Sequence, residues 1–320
     1  MNARMAVGLG NGVASGALWG VVFLAPAVLS DFTALQLAAG RYLIYGLLAV
    51  VLLAPRWPVL KSQVTARHWR ALAGLSLLGN LVYFLLLVVA VQWCGGGATS
   101  LIVGMVPVLV AVVAARAPGA VPLRRLAPSL GLCVAGVGLM SYSALHATHV
   151  DGQLWQRVVG LLCAVGALVA WTVYSVRNSV WLARSPEFSG HDWSLLTGVA
   201  TGALALLLVP LAVLTDGGVA HTLPRWAVFA GICAAVAVMA SVLGNACWNR
   251  ASRLLPLSLA GQMIVFETLF ALLYGFAWQR RWPTAVELVA IACLVGGVVA
   301  CTWAHRNHPV DAALVDESAH

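Results

Sequence analysis

Ten runs of mostly apolar residues, each about twenty long, follow one another along this chain, parted by short clusters of proline, glycine and charge. No other feature constrains the fold as strongly. A hydrocarbon core about 30 Å thick is crossed by roughly 20 helical residues. In that medium a backbone must satisfy its own hydrogen bonds, as a helix or as a closed barrel. Runs this long exclude the ten-residue alternating strands of a barrel. The spacing therefore predicts an all-α polytopic membrane protein with about ten transmembrane helices, over residues 8–29, 35–54, 69–91, 97–115, 127–145, 157–182, 193–214, 226–248, 256–277 and 284–303. Ser30-Asp31, Pro55-Arg56-Trp57-Pro58, Gly95-Gly96-Gly97, Pro118-Gly119, Asp216-Gly217-Gly218 and Arg281-Trp282-Pro283 punctuate the series. The break between the sixth and seventh runs, at Arg184-Ser185-Pro186-Glu187, is the least sharply marked.

Only 9% of the residues are charged, against roughly 25% in a soluble domain, so this surface is solvated by lipid. The net charge of +8 does not imply nucleic acid, because Lys and Arg are scattered through short connectors without a basic stripe. Seven cysteines sit singly in or beside apolar runs with no C-x-x-C pair, which leaves zinc and a disulfide framework unsupported. Gly8-Leu9-Gly10-Asn11-Gly12 and Gly95-Gly96-Gly97 lack the Lys-Ser/Thr of a phosphate loop. No cofactor is expected. The first run, behind a short leader with Arg4, is too long for a signal-peptide core and reads as a retained span.

Orientation follows from the bias of Lys and Arg toward cytoplasmic loops. With the N-terminus inside, thirteen of the eighteen Lys and Arg fall on the cytoplasmic side, four (Arg157, Arg225, Arg280, Arg281) fall outside, and Arg41 lies within the second span. Both termini are thus expected in the cytoplasm, with 304–320 a cytoplasmic tail. Short loops suit a bacterial inner (plasma) membrane.

The halves 8–145 and 157–303 resemble each other. At one step Trp69, Ala73 and Gly74 meet Trp226, Ala230 and Gly231; at another Leu109, Ala111, Cys133 and Gly136 meet Leu269, Ala271, Cys293 and Gly296. Five spans per half, an odd number, turn the second half upside down relative to the first. The uncharged connector Gln92–Ser100 then falls outside, and its counterpart Asn249–Ser258, with Arg250 and Arg253, inside. Two inverted five-helix repeats are the usual build of secondary transporters.

Gly16-Ala17-Leu18-Trp19-Gly20 with Phe23, Arg41, Pro107 in the fourth span, Glu267 in the ninth and Val295-Gly296-Gly297-Val298 at the close make the chain resemble the drug/metabolite transporter superfamily, EamA type, over about residues 8–303. The family often has Glu-Pro in its ninth helix, where Glu267-Thr268 stands here; Ala115-Arg116 and Gln279-Arg280 replace its frequent terminal glutamates. The resemblance implies alternating-access export or exchange of small metabolites, amino acids or drugs.

A charge at the helix centre costs about 2.5–3.5 kcal/mol on insertion scales, so an ionisable residue there faces a cavity or a partner. Glu267, near the middle of the ninth run, could bind a substrate amine or take up a proton; otherwise it is a protonated packing residue. Arg41 could attract a carboxylate, or instead snorkel or satisfy helix-end carbonyls. Trp171, Tyr174, Ser175 and Asn178 share one helical face, as do Glu267 and Tyr274, with Gln262 about a turn below; Asn80 pairs with Tyr83, and Ser241 with Asn245, Trp248 and Asn249. Aromatic and amide walls suit an amphipathic organic solute; the alternative is interhelical bonding for packing alone. Trp57, Trp69, Trp155, Trp226 and Trp282 read as interfacial anchors. His146-x-x-His149 with Asp151 is a weak metal candidate.

The expected partners are the lipid bilayer and a small-molecule substrate, with protons a candidate coupling ion and no nucleic acid. Two other classes remain. An intramembrane enzyme such as a lipid-modifying transferase would need paired catalytic groups at one depth, and the spans hold none. A non-transporting scaffold or sensor would carry a large soluble domain. A reporter that matures only in the cytoplasm is expected to give signal when fused before Met1 and when fused after His320. Opposite readings at the two ends would mean an odd number of crossings and remove the inverted arrangement.

Overall fold

The computed structural model describes residues 3–114, 122–146, 154–215, 221–255 and 263–306. These residues are helical throughout, joined by short turns, with no strand among them. Ten helical segments result. They are α1, Arg4–Val28; α2, Ala34–Leu60; α3, Ala66–Cys94; α4, Gly96–Val103 and Val106–Ala114; α5, Leu123–His146; α6, Leu154–Arg184; α7, Gly190–Leu214; α8, Leu223–Leu254; α9, Ile264–Gln279; and α10, Ala285–Arg306. Six of them are long and apolar enough to cross a membrane, and shorter apolar helices stand beside them. Thr33 and Ser189 open α2 and α7 through reciprocal capping boxes with Gln36 and Asp192. A single residue, Gly95 at φ 89°, joins α3 to α4; that left-handed backbone suits glycine.

Three boundaries differ most from the sequence reading, the first being α2, which continues to Leu60 through the expected break at Pro55-Arg56-Trp57-Pro58. α8 continues to Leu254, so Arg250 and Arg253 are helical and not in a loop: a helix keeps its hydrogen bonds after its apolar run ends. α9 is described from Ile264, which puts Glu267 in its first turn; residues 256–262 lie outside the described part. Glu267 is nonetheless deep in the bundle, level with Gly16 of α1. The expected anchors Trp57, Trp155, Trp226 and Trp282 are exposed at span ends.

Glycine sets how closely the helices approach. Gly8, Gly12, Gly16 and Gly20 form one stripe on α1. A Cβ added at each would fall 2.7 Å from Leu255, 2.4 Å from Met263, 2.6 Å from Phe266 and 2.9 Å from the Ala271 nitrogen, so α1 lies backbone-close on α9. At the crossing of α2 and α7, a Cβ on Gly46 would come within 2.5 Å of the Gly202 Cα, and one on Gly202 within 2.6 Å of the Gly46 Cα. Small residues allow this approach, and membrane helices associate by such packing.

The helix neighbours repeat at a five-helix step: α1 packs on α8 and α9 as α6 packs on α3 and α4, while α2 meets α7 and α5 meets α10. Individual contacts repeat too. Asn80 donates to Thr201 at 2.9 Å, and Asn245 lies beside the Tyr45 hydroxyl. Ser76 donates to the Thr197 carbonyl, and Arg41 donates to Ser241. The Tyr174 ring covers Gly79, and the Trp19 indole covers Gly244. These pairs relate α3 to α8 at a register about two helical turns from that of Trp69 and Trp226. A π-helical turn interrupts both helices, at Leu77–Val82 and at Ala237–Gly244.

Gly202→Leu is expected to lower thermal stability in detergent by about 1–3 kcal/mol, the range for overpacking. Gly231→Ala, whose added carbon meets nothing within 4 Å, leaves stability unchanged or slightly raised. Equal behaviour of the two variants would show that the crossing does not depend on glycine.

Candidate functional site

The site grows from the two π-helical turns. Each places one surplus residue in its helix, and such bulges recur at functional positions. In α8 the turn presents Ser241 to α2, where Arg41 is 7% exposed. The Arg41 Nε and Nη2 donate to the Ser241 Oγ at 3.3 and 3.1 Å. The guanidinium carbon lies 4.4 Å from the Phe84 ring centre and 4.9 Å from that of Tyr42, a cation–π seat. Nη1 is buried and has no hydrogen-bond partner among the described residues. A guanidinium N–H left unpaired in a dry interior costs about 1–3 kcal/mol, so this nitrogen is a donor in want of an acceptor.

Glu267 supplies the opposite charge. It is buried, its backbone pressed against Gly16 by the glycine stripe. Arg41 and Tyr83 stand within electrostatic range of its carboxyl. Among the described residues the contact ion pairs are made by other groups, none of them by Arg41 or Glu267. One acid and one base thus occupy the interior from opposite halves of the chain without touching.

Three indoles cluster beside the π-helical turn of α8 that carries Ser241. Trp19 of α1, Trp171 of α6 and Trp248 of α8 have ring centres 5.7, 5.3 and 6.1 Å apart, with Tyr174 5.9 Å from Trp171. The Trp19 Nε1 donates to the Ala240 carbonyl at 3.0 Å, an acceptor within the π-helical turn. Trp19 was quoted in the sequence as part of a family pattern and not as a site residue. The signal for its place was Gly244, which leaves room for the ring on α8.

The amides lie against neighbouring helices. Asn80 bonds Thr201 and its backbone carbonyl accepts from the Tyr42 hydroxyl; Asn245 lies beside the Tyr45 hydroxyl; Asn178 accepts from the Trp193 indole; Asn249 donates to the Gly190 carbonyl. Tyr274, reached from Glu267 by two helical turns, donates to the Ala17 carbonyl and so ties α9 to α1. Gln262, His149 and Asp151 lie outside the described residues. Among the described residues no three His, Cys, Asp or Glu side chains cluster as metal ligands would.

With this geometry in place, comparison with known proteins adds the following. The EamA-like transporter family matches residues 6–142. The inner membrane protein YtfF of Escherichia coli (strain K12) is 33% identical over 307 residues, 92% of this chain and 95% of that one. A crystal structure with 21% sequence identity superposes with a TM-score of 0.66, covering 94% of this chain and 99% of the other, a likeness of fold.

Replacing Asn80 and Thr201 by Ala, singly and together, is expected to give a coupling energy of about 0.6 kcal/mol, the usual size for a hydrogen bond between membrane helices. Strictly additive losses of stability would show that the pair does not hold α3 to α7.

Proposed function

The chain belongs to the EamA-like family of drug/metabolite transporters, a family of membrane transporters, and from that premise we propose that it moves a small organic solute by alternating access as a secondary transporter of the inner membrane. Residues 8–145 and 157–303 are its two inverted repeats, and both termini are cytoplasmic. The observation that carries this reading is the mirrored set of contacts: Asn80 on Thr201 against Asn245 on Tyr45, and Tyr174 on Gly79 against Trp19 on Gly244. Two halves that pack on each other through equivalent contacts in opposite senses support a pair of related states, each open to one side.

The solute's site is taken to lie between Arg41 and Glu267, roofed by Trp171, Trp248 and Tyr174 and flanked by Tyr83. The free Nη1 of Arg41 offers a donor to a carboxylate or carbonyl. Glu267 offers an acceptor to an amine, or a carrier for a proton. Asn80, Asn245 and Tyr274 hold the walls in place, and Gln262 is assigned to the same site by its spacing from Glu267. The flat indole faces suit the apolar body of the solute.

Proteoliposomes loaded with a broad panel of metabolites, amino acids and drugs test the reading, and flux of at least one is expected. No flux across the panel counts against transport. For a solute that is carried, Glu267→Gln keeps the shape of the side chain and removes its charge. Loss of one charge-assisted contact, about 1.5–3 kcal/mol, lowers flux at least about tenfold. If Glu267 carries the proton, the variant's flux also ceases to vary with pH; a profile like that of the unaltered protein removes that role.

A further inference from the structure

Away from the interior pair, a cavity of about 690 Å³ opens at the ends of α1, α7 and α8. Arg4 from the first turn of α1, His191 from the first turn of α7, and Arg250 and Arg253 from the last turns of α8 line it. Among the described residues no carboxylate lines it. The two acids nearest in sequence are engaged elsewhere: Asp192 pairs with Arg56 at 2.7 Å, and Glu187 lies 3.6 Å from His68. Arg253 is fixed by donating to the Phe188 carbonyl at 2.6 Å, and Asn249 of the lining by donating to Gly190. Arg4 and Arg250 make no ion pair among the described residues. Three arginines and a histidine thus converge on one hollow, and among the described residues no carboxylate pairs with Arg4, Arg250 or Arg253 there.

A bias of Lys and Arg to one face explains cations on a surface, but not their gathering around a cavity from three helices distant in sequence. The chemistry such a hollow satisfies is an oxyanion with several acceptors, because planar guanidinium groups match phosphate in paired hydrogen bonds. Val7 and Leu254 also line the hollow, so the anion has apolar surface at its side, as a headgroup at a membrane boundary requires. Basic pockets between helix ends on the cytoplasmic side are suited to acidic lipid headgroups.

We propose that the hollow formed by Arg4, His191, Arg250 and Arg253 is a phosphate-binding site, filled by the headgroup of an acidic phospholipid or by the phosphate of a soluble metabolite. It is separate from the Arg41–Glu267 pair and does not depend on the transport reading.

Full-length protein in nanodiscs of phosphatidylcholine, with phosphatidylglycerol added in steps or with glycerol 3-phosphate added to the buffer, provides the test, bound ligand being counted by native mass spectrometry. One saturable site is expected. Arg250→Gln weakens it about tenfold, as loss of one charge-assisted bond does, and Arg250→Lys restores part of the loss. Arg124→Gln, a cation at the start of α5 outside the hollow, leaves it unchanged. Saturation by phosphatidylglycerol alone assigns the site to lipid, and saturation by glycerol 3-phosphate in neutral discs assigns it to a soluble phosphate. The proposal is overturned if neither ligand saturates, or if Arg124→Gln weakens binding as much as Arg250→Gln. Arg250 is exposed, so its replacement leaves the packed interior intact, and an unchanged melting temperature checks this.

Discussion

Backbone contact at glycine is the interaction on which this bundle depends. Lipid tails are as apolar as leucine, so burying one helix against another gains little from the hydrophobic effect. What remains is close packing and the hydrogen bonds that closeness permits. Gly12, Gly16 and Gly20 seat the start of α9 on α1, Gly8 admits Leu255 at the end of α8, and the facing pair Gly46 and Gly202 seats α7 on α2. From these two seams the other geometry follows. Glu267 sits deep because its backbone lies on Gly16, and the Tyr45 hydroxyl reaches the Ser194 carbonyl at 2.8 Å because α2 and α7 cross at touching Cα atoms.

The polar interior follows a division of labour that this packing imposes. Side chains that bond a group on a neighbouring helix act as ties: Asn80 to Thr201, Asn178 to Trp193, Asn249 to Gly190. Arg41 is different. Ser241 and two aromatic faces hold its guanidinium, and one nitrogen is left over. A side chain that the fold anchors firmly and satisfies incompletely is suited to a ligand, because the cost of its incompleteness is relieved only when an acceptor arrives.

The outline of this fold could be read from the chain because lipid imposes a length rule that any apolar run either meets or fails. Glu267 and Arg41 stood out by the same rule, as charges where charge is costly. Three things were not legible. The π-helical turns at Leu77–Val82 and Ala237–Gly244 leave no periodic trace, since each run holds a single amide or hydroxyl, Asn80 or Ser241, and one surplus residue among apolar neighbours disturbs no polar pattern. Trp19 was hidden because its ring fills the space of a residue that is absent, the side chain of Gly244. Whether an asparagine ties helices or meets a solute depends on its neighbour across the bundle, so Asn80 could not be assigned without Thr201. The interior contacts pair α3 with α8 at a register other than that of Trp69 with Trp226, two residues that sit near helix starts.

The mirrored scaffold and its unmirrored charges bear on each other. Across the two halves Asn80 answers Asn245, Thr201 answers Tyr45, and Ser76 answers Ser241. By the same step Arg41 answers Thr197, and by the register of Leu109 with Leu269 Glu267 answers Pro107. Each charge therefore has a neutral partner in the other half. On the inverted-repeat reading, a scaffold whose halves were fully equivalent would hold its two open states at equal energy, since exchanging the halves converts one into the other. A cation in the first half and a carboxyl in the second break that equality. A ligand shifts such an equilibrium only by its differential affinity for the two states, and the groups able to supply a difference are those the mirror does not duplicate. On that reading the scaffold contacts supply the two states, and Arg41 and Glu267 the means by which a bound solute tells them apart.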